Sequence, residues 1–218
     1  MPTEYEAKFL EIDYNKTIKI LKSIGAKRVY TKRMFRRSVF HLCDQKIKGY
    51  ARVRDEGDKI TITTKTYKDP KYPEENEVNI DGTFEDGCNL IKSLGLEEKA
   101  FQQTYREKWS HKLAHEITFD WIPGLPLYME VDCTSEEKLN KLIDTIGLDK
   151  TKMRFGAFDA TFEEYYGITK DDINNHTASL TFCNIMKEIK PSKNKKLLKT
   201  IFESYEFKPD KYQIKKFK

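Results

Sequence analysis

The first residues of the chain alternate between charged and apolar side chains. Segment 4–9 reads Glu-Tyr-Glu-Ala-Lys-Phe. Because successive side chains of a β-strand point to opposite faces, an extended chain places Glu4, Glu6 and Lys8 on one face and apolar groups on the other. Burying three charges costs several kcal/mol per ion. Such a strand is worth building only where water, a metal or a highly charged ligand meets its charged face.

The same alternation recurs further along the chain. We predict eight strands, at residues 3–10, 33–42, 49–55, 59–66, 75–81, 101–109, 114–121 and 127–132. Some of these strands offer only acidic groups on the polar face, and others offer only basic groups. The basic positions are Arg52, Arg54, Lys65, Arg106 and Lys108, and the acidic positions are Glu75, Glu77, Glu116, Asp120, Glu130 and Asp132.

Three amphipathic helices, predicted at 13–24, 84–94 and 136–146, interrupt the strands. Their apolar stripes, which include Ile18 and Leu21, need an apolar surface to cover. For any single strand, charges that point at solvent are the simpler explanation. If helices cover the apolar faces of all the strands, however, the charged faces meet. We therefore predict a β-dominated α+β fold, an eight-stranded antiparallel closed β-barrel tunnel with helices packed outside.

Composition and charge limit the class of protein. With 218 residues, 38% hydrophobic and 34% charged, the chain can bury one substantial core. It has no apolar segment near the roughly 20 residues of a membrane span and no secretory signal, so we expect a cytoplasmic protein without a membrane partner. The four cysteines are far apart and lack Cys-x-x-Cys spacing, which argues against a thiolate metal site. The basic excess lies in the Lys-rich residues 187–218, so no DNA partner is expected.

The charges of the predicted lumen indicate a ligand class. Arginine can clamp a phosphate through two parallel hydrogen bonds, and lysine acts on it as a point charge. Carboxylates are hard oxygen ligands that suit Mg²⁺ or Mn²⁺. The chain has no Walker motif and no nucleophilic Ser or Cys elbow, and its histidines lack metal-ligand spacing. The residues therefore favour metal-assisted electrostatic chemistry on a polyphosphate.

Several motifs of the chain match one family in order and spacing. Glu4-x-Glu6-x-Lys8, Arg52-x-Arg54, Lys65, Glu75-x-Glu77, Arg106-Glu-x-Trp109 and Gly124-Leu-x-x-x-Met-Glu130-Val-Asp132 resemble the CYTH superfamily, also called triphosphate tunnel metalloenzymes. The resemblance covers about residues 3–167. It implies metal-dependent chemistry on triphosphates, in a family that includes inorganic triphosphatases, thiamine triphosphatases, RNA 5′-triphosphatases and class IV adenylyl cyclases. We divide the chain accordingly into a tunnel domain, 1–168, and a Lys-rich, helical C-terminal extension, 169–218.

The resemblance also implies roles for individual residues. Carried over by position, the metal ligands are Glu4, Glu6, Asp120, Glu130 and Asp132, and the phosphate-binding residues are Lys8, Arg52, Arg54, Lys65 and Arg106. Lys8 is also a candidate catalytic residue, and Glu6 and Glu77 are candidates to orient an attacking water. For Glu75 and Glu77, a structural role as salt-bridge partners of the lumen arginines is equally compatible with the sequence.

The chain departs from the family pattern at three places, one of which is Glu130-Val-Asp132, where Glu-x-Glu is commoner. Many members have Lys-x-Arg where this chain has Thr104-Tyr105-Arg106, so we add Lys108 to the substrate-binding residues as a replacement cation, with a tail lysine as the alternative. The second strand lacks the usual Asp and carries Arg36-Arg37-Ser38 instead. For the extension after residue 168, a solvated appendage is favoured slightly over a cover for the tunnel mouth.

These observations predict a hydrolase that depends on Mg²⁺ or Mn²⁺ and releases phosphate from inorganic triphosphate or from an organic or nucleoside triphosphate. RNA with a 5′-triphosphate is one substrate class that the resemblance allows. A class IV adenylyl cyclase, which makes cyclic AMP and pyrophosphate from ATP, is the first alternative. A non-catalytic module that binds polyphosphate is the second.

Overall fold

The computed structural model describes residues 5–44, 46–67 and 74–205. The strands are β1 (Tyr5–Leu10), β2 (Lys27–Phe40), β3 (Gly49–Asp55), β4 (Ile60–Thr66), β5 (Glu74–Ile80), β6 (Glu98–His111), β7 (Ala114–Trp121), β8 (Tyr128–Cys133) and β9 (Ser179–Leu180). The α-helices are α1 (Tyr14–Ser23), α2 (Phe84–Ser93), α3 (Glu136–Ile146), α4 (Asp159–Tyr166), α5 (Ile185–Glu188) and α6 (Lys195–Glu203). Single turns of 3₁₀- and π-helix lie at Lys150–Lys152 and Asp172–His176.

One mixed sheet contains all the strands, in the order β1-β8-β7-β6-β2-β3-β4-β5, with antiparallel neighbours throughout this path. Strand β9 adds to β6 in parallel. The antiparallel α+β fold is therefore confirmed. Within the described ranges no ladder joins β1 to β5, so the sheet is open and the predicted closed barrel is not confirmed.

The free edge of β1 is partly covered by a segment that follows α3. The backbone N–H of Lys8 donates to the carbonyl oxygen of Arg154 (2.9 Å), and the N–H of Arg154 donates to the carbonyl of Lys8 (3.0 Å). This isolated bridge satisfies backbone groups that an edge strand otherwise exposes. It lies on the side of β1 where β5 would pair in a closed barrel.

Strands β2 and β6 are longer than predicted. Their ladder runs from Lys27 opposite Ser110 to Phe40 opposite Glu98. The sequence of residues 27–32 lacks a clear apolar face, and Val29 there is 54% exposed. Alternation of polar and apolar residues therefore did not reveal the first residues of β2. The Arg28 guanidinium lies 5.1 Å from the ring centroid of Trp109 on β6, a cation–π contact that helps to hold the two strands together.

The helices cover the outer, apolar face of the sheet. Helices α1 and α3 pack on β1, β7 and β8 through a cluster that includes Ala7, Phe9, Leu21, Ile117, Phe119, Met129, Val131, Leu142 and Ile143, all buried. Helix α2 packs on β3 through Phe84, Cys88 and Ile91. The polar faces of the strands consequently point toward the concave side of the sheet, as the sequence predicted.

The C-terminal extension packs against the rest of the chain up to residue 205. A third buried cluster joins Ile122, Leu125, Tyr128, Phe162 and Tyr166 to Ile168, Ile173, Leu180, Ile185, Ile189 and Leu198. The prediction of a solvated appendage is therefore wrong for this segment. Within this segment, which we predicted to be helical, the chain forms the strand β9, the short α5 and the longer α6. The domain boundary at 168 stays a prediction.

No helix in the described part of the chain is both long enough and apolar enough to cross a membrane. Residues 206–218, the last part of the predicted extension, lie outside the described residues, as does Glu4.

Candidate functional site

The concave side of the sheet encloses a cavity of about 500 Å³. Every predicted site residue within the described ranges lines it. These residues are Glu6, Lys8, Arg52, Arg54, Lys65, Glu77, Arg106, Lys108, Asp120, Glu130 and Asp132. Of the predicted set, only Glu4 lies outside the described residues. The structure thus brings the set together, while the role of each residue stays a prediction.

Strand register explains why these side chains meet. Lys8 on β1 lies opposite Glu130 on β8, and Arg106 on β6 lies opposite Asp120 on β7. Side chains at directly opposed positions have Cβ atoms roughly 4.5–5.5 Å apart on the same face. The non-sequential pairings β1–β8 and β2–β6 therefore bring together charges that are far apart in the sequence.

Arg106 is held by two carboxylates. Its Nε donates to Oδ1 of Asp120 (2.6 Å), and its Nη2 donates to Oδ2 of Asp120 (2.8 Å) and to Oε2 of Glu130 (3.2 Å). Although burial opposes its charge, these acids hold the pKa of Arg106 well above its usual value. Burial raises the pKa of Asp120, and the charge of Glu130 adds to this effect, against the opposing attraction of Arg106.

Lys8 bridges two acids on the neighbouring part of the wall. Its Nζ donates to Oε1 of Glu6 (2.8 Å) and lies 3.4 Å from Oε1 of Glu130. Burial opposes the charge of Lys8, but the carboxylates of Glu130 and Glu6 outweigh it and raise its pKa. Burial also works against ionisation of Glu130, but Lys8 and Arg106 lower the pKa of this carboxyl to about 2. The ammonium and Glu130 are therefore both charged near neutral pH.

The opposite wall pairs the arginines of β3 with the acids of β5. Nη2 of Arg52 donates to Oε1 of Glu75 (2.9 Å) and to Oε2 of Glu77 (3.3 Å). Nη2 of Arg54 also donates to Oε2 of Glu77 (3.2 Å), and Nζ of Lys65 lies 2.9 Å from Oε2 of Glu75. Despite burial, Arg52 and Lys65 lower the pKa of Glu75. These contacts support the salt-bridge role of Glu75 and Glu77 that the sequence left open.

The carboxylates that line the cavity are the candidate metal ligands. Across the described ranges, no three His, Cys, Asp or Glu side chains form a group that could hold a metal ion, because the nearby carboxylates contact cations instead. The register nevertheless places Glu6 and Glu116 on either side of Asp132, on three adjacent strands. Three hard oxygen donors in one row fit Mg²⁺ or Mn²⁺. These carboxylates therefore suit a divalent metal by their chemistry and by their positions in the sheet. To bind it, Glu6 and Glu116 must leave Lys8 and Lys108, their cationic partners.

The structure adds lining residues that the sequence did not single out. Among them are Arg37, Tyr50, Tyr67, Lys99, Phe158 and Asn174. Glu116 also lines the cavity. The sequence placed it on a polar strand face but gave it no role in the site, and in the structure its Oε2 lies 2.5 Å from Nζ of Lys108. Asn174 belongs to the C-terminal extension, where no motif indicated a contact with the cavity.

Comparison with known proteins gives a family and a fold. The family model of the CYTH domain matches residues 2–161. A search of the curated proteins finds no significant match. Among solved structures, a conserved hypothetical protein of Pyrococcus furiosus is similar with a TM-score of 0.59 and 19% identity, over 71% of this chain and 97% of that chain.

Two further structures share the fold. A protein of Vibrio parahaemolyticus named as a candidate adenylate cyclase has a TM-score of 0.64 and 12% identity, over 74% of this chain and 98% of that chain. A candidate adenylyl cyclase of Hippeastrum, for which a dominant triphosphatase activity is described, has a TM-score of 0.50 and 13% identity, over 75% of this chain and 95% of that chain.

Proposed function

The chain belongs to the CYTH domain family, and on that premise we propose that it is a divalent-metal-dependent hydrolase that releases phosphate from a triphosphate-containing substrate. The observation that carries this proposal is the cavity itself. Cations from β1, β3, β4 and β6 converge on one space of about 500 Å³ together with carboxylates from β7 and β8. A triphosphate needs cations along its length, and phosphoryl transfer is accelerated mostly by positioning and charge neutralisation.

In this proposal the basic residues bind the phosphate chain. They are Lys8, Arg52, Arg54, Lys65, Arg106 and Lys108, each of which has a carboxylate within 4 Å. A phosphate oxygen that takes the place of such a carboxylate keeps the cation neutralised and frees the acid. Substrate binding therefore releases acidic side chains that are otherwise engaged, which supports a role for them as metal ligands.

The acids proposed to hold the metal are Glu6, Asp120, Glu130 and Asp132, together with Glu4 outside the described residues. Asp120 and Glu130 must leave Arg106 to do so. When bound, Mg²⁺ or Mn²⁺ supplies neutralisation of charge on the phosphate oxygens. Glu116 on β7 lies opposite Asp132 on β8, and it is a further candidate metal ligand of this row.

The proposed chemistry is attack of water on the terminal phosphorus. Glu6 or Glu77 orients the water. As the water oxygen bonds to the terminal phosphorus, the bond from that phosphorus to the bridging oxygen breaks and the shortened phosphate chain leaves with the electron pair. The water proton is released to solvent, and orthophosphate is the second product. Lys8 lies between Glu6 and Glu130. Its ammonium group neutralises negative charge on the terminal phosphate during the transfer. Glu77 accepts hydrogen bonds from Arg52, Arg54 and Thr63, and these fix its carboxylate in place whichever role it has.

A class IV adenylyl cyclase is the second candidate, and one observation favours it. Tyr50, Tyr67 and Phe158 line the cavity, and the rings of Tyr50 and Tyr67 lie 6.5 Å apart between centroids. Aromatic side chains of this kind can stack on a nucleobase. In a cyclase the ribose 3′-oxygen attacks the α-phosphorus and pyrophosphate leaves.

A substrate panel tests both candidates. We would incubate the full chain and Mg²⁺ or Mn²⁺ with tripolyphosphate, thiamine triphosphate, ATP or 5′-triphosphorylated RNA, and identify the products. Orthophosphate from any of these substrates supports the hydrolase, whereas cyclic AMP with pyrophosphate from ATP supports the cyclase. Binding of tripolyphosphate without turnover of any substrate contradicts both and leaves a non-catalytic polyphosphate-binding module.

A further inference from the structure

Arg37 on β2 is the cavity cation whose charge is least neutralised. Seven other lining cations have a carboxylate oxygen within 4 Å: Lys8, Arg52, Arg54, Lys59, Lys65, Arg106 and Lys108. Arg37 has no such acid among the described residues. Its Nε donates instead to the neutral amide oxygen of Gln102 (2.8 Å).

Lys99 shares the lack of a carboxylate within 4 Å in the described part of the chain, but its surroundings differ. The negative charges of Asp159 and Asp171 act on Lys99 and favour its charged form, although burial lowers its pKa overall. Arg37 has the opposite environment. After burial, the charge that most lowers its pKa, to about 10, is that of Arg52, and Arg54 and Arg106 act in the same direction.

The strand register makes the repulsion direct. Arg37 lies opposite Arg54 in the β2–β3 ladder, and like charges at directly opposed positions destabilise a sheet. Nε of Arg54 is itself buried without a hydrogen-bond partner in the described residues. Two guanidinium groups with unused donors therefore face the same part of the cavity. Arg37 is half-buried, and a charge withdrawn from water without a counterion is costly. The aromatic contact of Arg37 with Phe158, 5.4 Å from the ring centroid, offsets little of that cost.

We propose that Arg37 is a substrate-binding residue, whose guanidinium holds a phosphate group of the triphosphate together with Arg54. This inference rests on the proposed function, and it names a residue of the second strand, where the chain lacks the usual Asp and carries Arg36-Arg37-Ser38. It also accounts for the absence of a lysine at Thr104. Phe35 lies opposite Thr104 in the β2–β6 ladder and Arg37 lies opposite Gln102, so Arg37 and Thr104 are diagonal neighbours on one face.

The test compares two adjacent arginines. Arg37→Gln removes the inward cation, and Arg36→Gln is the matched control. Arg36 points outward, where its Nε donates to Asp55 (2.8 Å) and its Nη1 donates to Glu85 (3.4 Å). We would measure the affinity for tripolyphosphate by calorimetry in metal-free buffer, so that metal-dependent hydrolysis does not consume the probe. The thermal unfolding midpoint of each unliganded variant is measured in parallel.

We expect Arg37→Gln to weaken binding about tenfold to a hundredfold, which is the range for loss of a hydrogen bond to a charged group. Its unliganded midpoint should be unchanged or higher, because an unpaired like charge is removed. Arg36→Gln should keep the affinity within about twofold of that of the original chain. Arg37→Lys should lose less affinity than Arg37→Gln, since it keeps the charge but not the planar fork.

Three results would overturn the inference. Arg37→Gln could bind tripolyphosphate as tightly as the original chain, or Arg36→Gln could lose as much affinity as Arg37→Gln. A lower unliganded midpoint for Arg37→Gln with unchanged affinity would show a purely structural role. If the original chain neither binds nor hydrolyses tripolyphosphate or any other triphosphate of the panel, the proposed function fails as well, so the two failures are distinguishable.

Discussion

Arg106 and Asp120 face each other across β6 and β7 and share two parallel hydrogen bonds, of 2.6 and 2.8 Å. The first is a proposed phosphate-binding residue, and the second is a proposed metal ligand. In the ligand-free protein each therefore serves as the counterion of the other. When a ligand binds, this ion pair must be replaced by contacts from Arg106 to a phosphate and from Asp120 to a metal. The free energy of the ion pair therefore reduces the free energy of ligand binding.

The first prediction concerns the stability of this pair. Arg106→Gln leaves Asp120 buried without its bidentate partner, and we expect a loss of about 3–5 kcal/mol in the free energy of unfolding. The double variant Arg106→Gln with Asp120→Asn should be more stable than the single variant, because Asp120 is then no longer a buried charge without its partner. Urea denaturation of the two single variants and the double variant measures the coupling. Strictly additive losses would show that the two residues do not depend on each other.

The second prediction concerns metal dependence. Turnover of the best substrate should cease in excess chelator and return with Mg²⁺ or Mn²⁺. Glu6→Gln should abolish turnover but keep the fold, because the amide oxygen of glutamine can still accept the hydrogen bond from Lys8 (2.8 Å). The control is Glu163→Gln, an exposed change on α4. Undiminished turnover in chelator, or unfolding of Glu6→Gln, would contradict the assignment of Glu6 as a metal ligand.

The third prediction follows from the low pKa of Glu130, about 2. A carboxyl whose pKa is lower in the folded than in the unfolded protein stabilises the fold above its unfolded pKa, near 4.3. That contribution is lost as the pH falls toward 2. Glu130→Gln should therefore be less stable than the original chain at pH 7, and the difference should narrow between pH 4 and pH 2.

Denaturation by urea at pH 7, 4, 3 and 2 measures this difference. Each unit of pKa shift corresponds to about 1.4 kcal/mol, so the narrowing should be on the order of a few kcal/mol. Glu137→Gln, at an exposed position of α3, is the control and should show a pH-independent difference near zero. A constant difference for Glu130→Gln would mean that Lys8 and Arg106 do not depend on its charge.

The alternation of charged and apolar residues predicted which face of each strand lines the cavity. It correctly grouped Lys8, Arg52 and Arg106, among others, around one space. Period-two alternation does not tell which strand is the neighbour of which, so it could not predict that Arg106 meets Asp120 or that β2 lies beside β6. Those contacts depend on sheet order and register, which arise from the packing of the whole chain.

Arg37 was not selected from the sequence for a local reason. It lies in the run Arg36-Arg37-Ser38, where three consecutive polar residues hide the alternation. Arg36 and Ser38 face outward and find acids there, Asp55 for the arginine and Glu98 for the serine. The sequence alone does not show whether a polar residue of such a run faces outward, where it bonds to a neighbouring acid, or lines the cavity.

The C-terminal extension was misjudged because its lysine content outweighed its apolar residues. Helix α6 is amphipathic, and its lysines lie away from a buried stripe that includes Leu198. Nearby, the Tyr205 hydroxyl accepts a hydrogen bond from the N–H of Gly124 (2.6 Å), and its ring packs against Phe182. Composition averaged over a segment does not reveal a single apolar face that another part of the fold will cover.

The last prediction tests whether the extension belongs to the folded core. Leu198 is 1% exposed and packs in the cluster of Ile122, Phe162 and Ile185, so Leu198→Ala should lower the free energy of unfolding by about 2–5 kcal/mol. The adjacent Leu197 is 36% exposed, and Leu197→Ala should cost less than about 1 kcal/mol. Equal losses measured by urea denaturation would contradict the packing of α6. A chain cut after Gly167 exposes this apolar surface and should be unstable.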